Sequence, residues 1–163
     1  MAVTTKSVKD RRRVRFENSG DAIRDAEMLA EAERRGTLRA IGNWELGQAI
    51  GHVATWAQFA NDGYPPLPRP PLMLRLFFPL LKNIFLNKGM PAGVIIRGVP
   101  NGTLGAEPME TDAAIRKLRE TFGQLERQAP RYESPIFGKM SHKDWIKLNL
   151  RHAELHQSFF HPS

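Results

Sequence analysis

The chain has 163 residues, of which 41% are hydrophobic and 25% charged, a composition typical of a single soluble domain with a substantial core. It contains no cysteine, which excludes disulfides, thiolate metal ligands and a cysteine nucleophile and fits a cytoplasmic protein. The formal charge of +7 is concentrated in residues 1–16, which carry +5 and leave only +2 for the rest, so a nucleic-acid-binding face is not expected.

The basic start predicts a flexible arm, residues 1–16, in front of a single helical-bundle domain, residues 17–163. No apolar stretch follows the RRR run at 11–13, so we do not expect an export signal. The most apolar segment, residues 71–86, is interrupted by two charged side chains and a proline, and we expect no membrane span.

The first two helices follow from apolar periodicity and capping residues. One is predicted over residues 19–34 with Ser19 as its N-cap, and the second opens at an Asn43 N-cap and ends near Ala60. After a proline-rich loop, residues 72–88 are predicted to form a helix that is broken or kinked near Pro79.

The second half of the chain adds two more helices after a long loop over residues 89–108. One is predicted from about Thr111 to Gln128, and the last opens with the capping-box pattern at 141–144. No segment alternates as a strand does. The sequence therefore predicts an all-α fold, a four-helix bundle with an additional short or broken helix and long loops.

Two histidines of the last helix stand four residues apart on its apolar side. His152 and His156 therefore lie about 5–6 Å apart at Cβ and are directed toward the bundle interior. Imidazoles in a core need partners, and a divalent metal would satisfy both. Glu154 is turned about 200° away from the first histidine, so the pattern is not that of a zinc protease.

A third ligand has to come from another helix, and His52 is the best candidate. Four positions near it or in the loops are candidates for outer contacts or the pocket wall: Glu45, Gln48, Trp56 and Arg97. A histidine pair on an inner face is also often part of a hydrogen-bonded core, and the tryptophans are more often core residues than ligand platforms. His142 and His161 are poorer candidates.

Several stretches of the chain resemble one known group of proteins. They are RRVRF at 12–16, GNWELGQAIGHVA at 42–54, NKGMPAG at 87–93 and SPIFGKMSHKDWIKLNLRHAELHQSFF at 134–160. With them the chain resembles the DinB/YfiT-like superfamily of metal-binding four-helix bundles, in particular a bacterial branch defined only as a domain of unknown function. The likeness covers nearly the whole chain from about Arg12.

The resemblance implies a metal site and a class of reactions. In that superfamily a divalent nickel, zinc, iron or manganese ion is held by three histidines, whose positions match His52, His152 and His156. Some relatives are transferases or isomerases that use low-molecular-weight thiols. The resemblance therefore implies a metal-dependent enzyme, such as a thiol S-transferase or hydrolase, acting on a thiol or another small molecule.

Two other functions stay open from the sequence. The histidine cluster could be structural in a non-catalytic metal-binding or stress-response protein. The apolar segment before residue 88 could instead contact a membrane or partner surface, although we expect Phe77, Leu81 and Phe85 to be buried within the bundle or a dimer interface. The oligomeric state is open, a homodimer included.

Overall fold

In the computed structural model, residues 4–67, 77–99 and 102–163 are described, and they form a helical bundle. The bundle comprises α1 (Ser19–Arg34), α2 (Leu46–Asp62), α3 (Phe78–Lys88), α4 (Thr111–Arg127) and α5 (His142–Gln157), with a 3-10 turn at Thr5–Ser7. The all-α prediction is confirmed. None of these helices has the length and apolar character needed to cross a membrane.

The expectation that no strand forms is wrong for two short segments. β1 (Arg39–Ala40) and β2 (Phe160–His161) pair antiparallel, with Arg39 opposite His161 and Ala40 opposite Phe160. Each strand has two residues, so neither is long enough to produce an alternating pattern in the sequence. The pair ties the end of the last helix to the segment between α1 and α2.

The centre of the bundle is α2, which packs mainly against α4 and also against α5. Its apolar stripe is buried as predicted, with Ile50 and Val53 fully covered. Gly47 lets the two helices approach closely, because a Cβ at this position would overlap the backbone carbonyl of Met109 just before α4. The position of α2 therefore depends on a small residue at its start.

Two helix caps differ from the predictions by one or two residues. Asn18, not Ser19, caps α1, because its side chain accepts a hydrogen bond from the Asp21 N–H at 3.1 Å while Asp21 accepts one from the Asn18 N–H. α2 begins after Glu45 rather than at Asn43. The predicted cap of α5 is confirmed, since the Ser141 hydroxyl accepts from the Asp144 N–H.

The apolar segment before residue 88 is only partly covered by the bundle. Residues 68–76 lie outside the described ranges, and α3 begins at Phe78, so Pro79 stands in its first turn, where a missing N–H is tolerated. Phe77 is 56% exposed, so it is not buried within the bundle, because α3 packs mainly on α5 and only one of its faces is covered; burial in a dimer interface stays a prediction. Leu81 and Phe85 are half-buried.

The arm lies against α1 and α5. Arg12 forms a two-pronged ion pair with Asp25 at 2.7 and 2.9 Å, and Phe16 is buried. These contacts cover Arg151 and Glu154 of α5, and both are buried. The division into arm and domain, and the flexibility of the arm, stay predictions.

Candidate metal centre

Three histidines from two helices meet in the interior of the bundle. α2 contributes His52, and α5 contributes His152 and His156 from consecutive turns of one face. One ring nitrogen of each lies within 4.8 Å of the corresponding nitrogens of the other two. Among the described residues this is the group of side chains whose spacing suits a metal ion.

The distances between the rings are compatible with a shared metal ion. The Nε2 atoms of His152 and His156 are 3.1 Å apart, and the ring centroids of His52 lie 4.9 and 4.7 Å from those of His152 and His156. Two nitrogens bound to one tetrahedral zinc ion at about 2.0–2.1 Å stand about 3.3 Å apart. The pair on α5 is already at about that spacing, and His52 faces it.

Burial holds all three imidazoles in the neutral form. It lowers the pKa of His52 to about 4, against weaker raising effects of the backbone at Leu104 and Gly105 and of the Glu107 charge. Burial also lowers the pKa of His152 and His156 well below the ordinary value, and repulsion from the neighbouring histidines adds to this. Neutral imidazole carries the free lone pair that a metal ion needs.

One buried polar atom of the cluster lacks a hydrogen bond of ordinary geometry. The Nδ1 atom of His52 has no such partner, although the backbone at Leu104 and Gly105 lies close enough to affect the pKa of this residue. A histidine that binds a metal through one nitrogen usually donates a hydrogen bond through the other.

Two tryptophans fix the orientation of the histidine rings. The Trp44 ring stacks on His156 with an interplanar angle of 3° and a centroid distance of 5.1 Å. Trp56 meets His52 and His152 edge to face, at 6.2 and 6.3 Å, and its indole N–H donates to the Leu104 carbonyl at 3.0 Å. These contacts limit the rotation of the imidazoles, which favours a preformed site.

A cavity of about 630 Å³ opens above the histidines. Its size lies within the range of small-molecule sites in proteins. The walls come from the two tryptophans, from the loops around residues 90–96 and 134–137, and from residues 4–6 of the arm. The three imidazoles therefore form part of the wall of a space that can hold a small molecule.

The sequence matches one family over most of its length. The family model described as "Protein of unknown function (DUF1569)" covers residues 8–163. The chain belongs to this family. No curated protein and no solved structure matches it.

In this DUF1569 chain, the residues that the sequence predicts for the site fall into two groups, those at the cavity and those away from it. His52, His152, His156 and Trp56 line the cavity. Gln48 is close by, but its side-chain amide donates to the Ala106 carbonyl at 2.6 Å, so it holds the loop beside the site.

Two further candidates and the two poorer histidines lie away from the cavity wall. Glu45 is exposed at the start of α2, and Arg97 is exposed on a loop, so the structure gives neither a place in the cavity wall. His142 bonds to the Leu125 carbonyl and His161 to the Asp10 carbonyl through their ring nitrogens.

The interpretation of the tryptophans as core residues did not identify Trp44 as part of the cavity wall, although its side chain also packs against the core. It precedes α2, so the helical pattern that located His52 carries no information about its direction. The residues of the arm that reach the cavity, Thr4 to Lys6, were likewise not found from sequence. Their place depends on contacts between distant parts of the chain.

Proposed function

We propose that this chain is a metal-dependent enzyme of the DinB/YfiT-like type, with a divalent ion held by His52, His152 and His156. The observation that carries the proposal is the meeting of three neutral imidazoles, within 4.8 Å of one another, at the wall of a cavity. The resemblance of the sequence to that superfamily supports the same three positions. Nickel, zinc, iron and manganese are the ions to be compared.

Three nitrogen ligands leave room for a further ligand, as in metal sites that act on small molecules. A divalent ion bound there supplies Lewis-acid chemistry and lowers the pKa of a thiol or of water. The chain itself orients the ligands through Trp44 and Trp56, and its loops form part of the wall around them. As the reaction class we propose transfer of an electrophilic carbon group to a thiol, in which a C–S bond replaces the bond from that carbon to a leaving group, and the leaving group and the thiol proton are released. Hydrolysis is the variant in which water replaces the thiol.

The metal centre is tested by elemental analysis of the purified protein beside a variant with alanine at all three histidines. We expect one divalent ion per chain in the native protein and none in the variant. His161→Ala is the matched control, because this histidine lies outside the cluster and its variant should keep the ion. Circular dichroism of each protein checks that the helices are retained.

Native protein that neither contains a metal nor takes one up on addition would contradict the metal centre. Turnover is tested separately, with metal-loaded protein, a low-molecular-weight thiol and an electrophilic arene whose thioether product absorbs light. A loaded protein without turnover of the thiol or of hydrolysable esters would contradict the enzyme proposal but not the metal site.

A second candidate is a non-catalytic protein in which the histidine cluster is structural. The 3.1 Å contact between the Nε2 atoms of His152 and His156 favours it, because one imidazole can donate a hydrogen bond to the other without a metal ion. In that case His152→Ala should lower the melting temperature strongly, and no activity should depend on the histidines.

A further inference from the structure

The wall of the cavity is mostly apolar above the histidines. Phe85 and Phe137 meet edge to face at 5.7 Å on one side, and Ile136 stands at the mouth. Two polar side chains of the wall are engaged with the backbone: Asn149 donates to the Trp145 carbonyl, and the Ser134 hydroxyl accepts from the Phe137 N–H. Such a wall favours an apolar occupant over one rich in hydroxyl groups.

The described wall of the cavity carries a single charged side chain. Among the described residues that line it there is no aspartate or glutamate, and Lys6 is the charged side chain. The nearby carboxylate of Glu154 faces away, toward the Phe16 N–H at 2.7 Å and Arg151 at 3.1 Å. Glu107 is exposed and contributes no part of the wall, and its charge has only a weak effect on the pKa of His52.

A divalent ion on three neutral histidines would therefore carry a positive charge that the cavity wall does not balance. An unbalanced charge in a desolvated space is unfavourable, so an anionic occupant is favoured. We propose that the cavity binds small molecules with one anionic head group, a carboxylate or thiolate, beside the histidines and an apolar body along the wall. This inference rests on the proposed metal centre and adds the class of its ligand.

The test is calorimetric titration of zinc-loaded protein with octanoate, butanoate and 1-octanol. Octanoate should bind at least tenfold more tightly than butanoate, because each CH2 group that is buried is worth about a fourfold change in affinity. Octanoate should also bind more tightly than the neutral octanol, and removal of zinc should weaken the binding of octanoate but not that of octanol.

Two isoleucines provide a matched pair of variants. Ile136 and Ile84 are each 39% exposed, but only Ile136 contributes to the cavity wall. Ile136→Glu places a carboxylate at the mouth and should weaken octanoate binding at least tenfold. Ile84→Glu should leave it unchanged, and both variants should fold because both positions are open to solvent.

Each result supports the inference or overturns it. Equal affinities for butanoate and octanoate would overturn the proposal that the ligand has an apolar body. Equal affinities for octanol and octanoate would overturn the proposal that it has an anionic head group. Zinc content measured on the same samples separates a failure of this inference from a failure of the proposed function. One zinc per chain without either preference overturns the ligand class alone, whereas protein that binds no zinc overturns the metal centre and with it this inference.

Discussion

At the scale of single residues, the histidine cluster lowers the stability of the folded protein in acid, because its imidazoles stay neutral there. Three imidazoles that are packed side by side, His52 buried and the other two half-buried, resist protonation, as the lowered pKa of His52 shows. In the unfolded chain the same rings have a pKa of about 6.5. Acid therefore favours the unfolded state through these residues.

This difference predicts how the stability of the metal-free protein depends on pH. The contribution of His52 is fully present above pH 6.5, and it is lost as the pH falls from about 6.5 toward about 4, because the unfolded state then binds a proton that the folded state does not. Each such histidine changes the free energy of unfolding by about 1.4 kcal/mol per pH unit in that window. Urea unfolding in the presence of a chelator, at a series of pH values, measures it.

His52→Gln is the comparison for this experiment, since the amide does not titrate. The free energy of unfolding of the variant should fall less steeply than that of the native protein between pH 6.5 and 4. Parallel curves for the two proteins would show that His52 is not protected from protonation in the folded state.

The residues of the site could be predicted in part. The spacing of His152 and His156 on an apolar face was enough to place both in the interior, and their contact with His52 agrees with the choice of that residue. Trp44 could not be predicted, because it lies in a loop and its direction is set by packing. The same holds for Arg97, whose loop turns it outward.

At the scale of elements, the contact between α2 and α4 sets where His52 stands. The backbone at Met109 and Thr111 lies directly against Gly47, one turn and a half before the histidine. The absence of a side chain at Gly47 is therefore a requirement of the helix packing, not of the chain's flexibility.

Gly47→Ala should destabilise the protein by about 1–3 kcal/mol, because the added methyl group overlaps backbone atoms that cannot move independently. Gly123→Ala is the matched control. That glycine lies inside α4, and an added Cβ would meet only the end of the flexible Arg127 side chain at 3.3 Å, so helix propensity should make the change neutral or stabilising. Thermal unfolding of both variants compares them. A Gly47→Ala protein as stable as the native one would contradict the close packing.

Helices that carry a clear apolar stripe and a cap were predicted closely, as α4 and α5 show. The start of α2 was misplaced, because Asn43 is a good N-cap residue by type but the chain turns into the helix only after Glu45. The β1–β2 pair joins residues that are far apart in sequence, so a local sequence pattern cannot predict it.

At the scale of the whole molecule, the first and last segments of the described chain hold each other in place. The Phe16 N–H donates to the Glu154 carboxylate, and the Arg151 guanidinium donates to the Phe16 carbonyl at 2.7 Å. Arg12 adds a backbone hydrogen bond to the Ser158 carbonyl. Arg12, one of the basic residues of the first segment, thus contributes to this contact.

Glu154→Gln tests this anchor. The change should lower the free energy of unfolding by about 3–5 kcal/mol, because Arg151 would keep a buried charge without its carboxylate. Glu31→Gln, which removes an exposed ion pair with Arg34, should cost at most about 1 kcal/mol. Chemical unfolding of the two variants measures the difference, and similar losses for both would mean that the buried pair adds little.

The two-residue strands also help to set the rotation of α5 about its own axis, and with it the direction of the two histidines. A slip of α5 by one residue would turn its surface by about 100° and exchange the two imidazoles for their neighbours. The Ser141 cap holds one end of the helix, while the β1–β2 pair and the Ile41 N–H to Phe159 carbonyl hydrogen bond hold the other. The two-stranded sheet therefore limits the rotation of the helix that carries two of the three histidines.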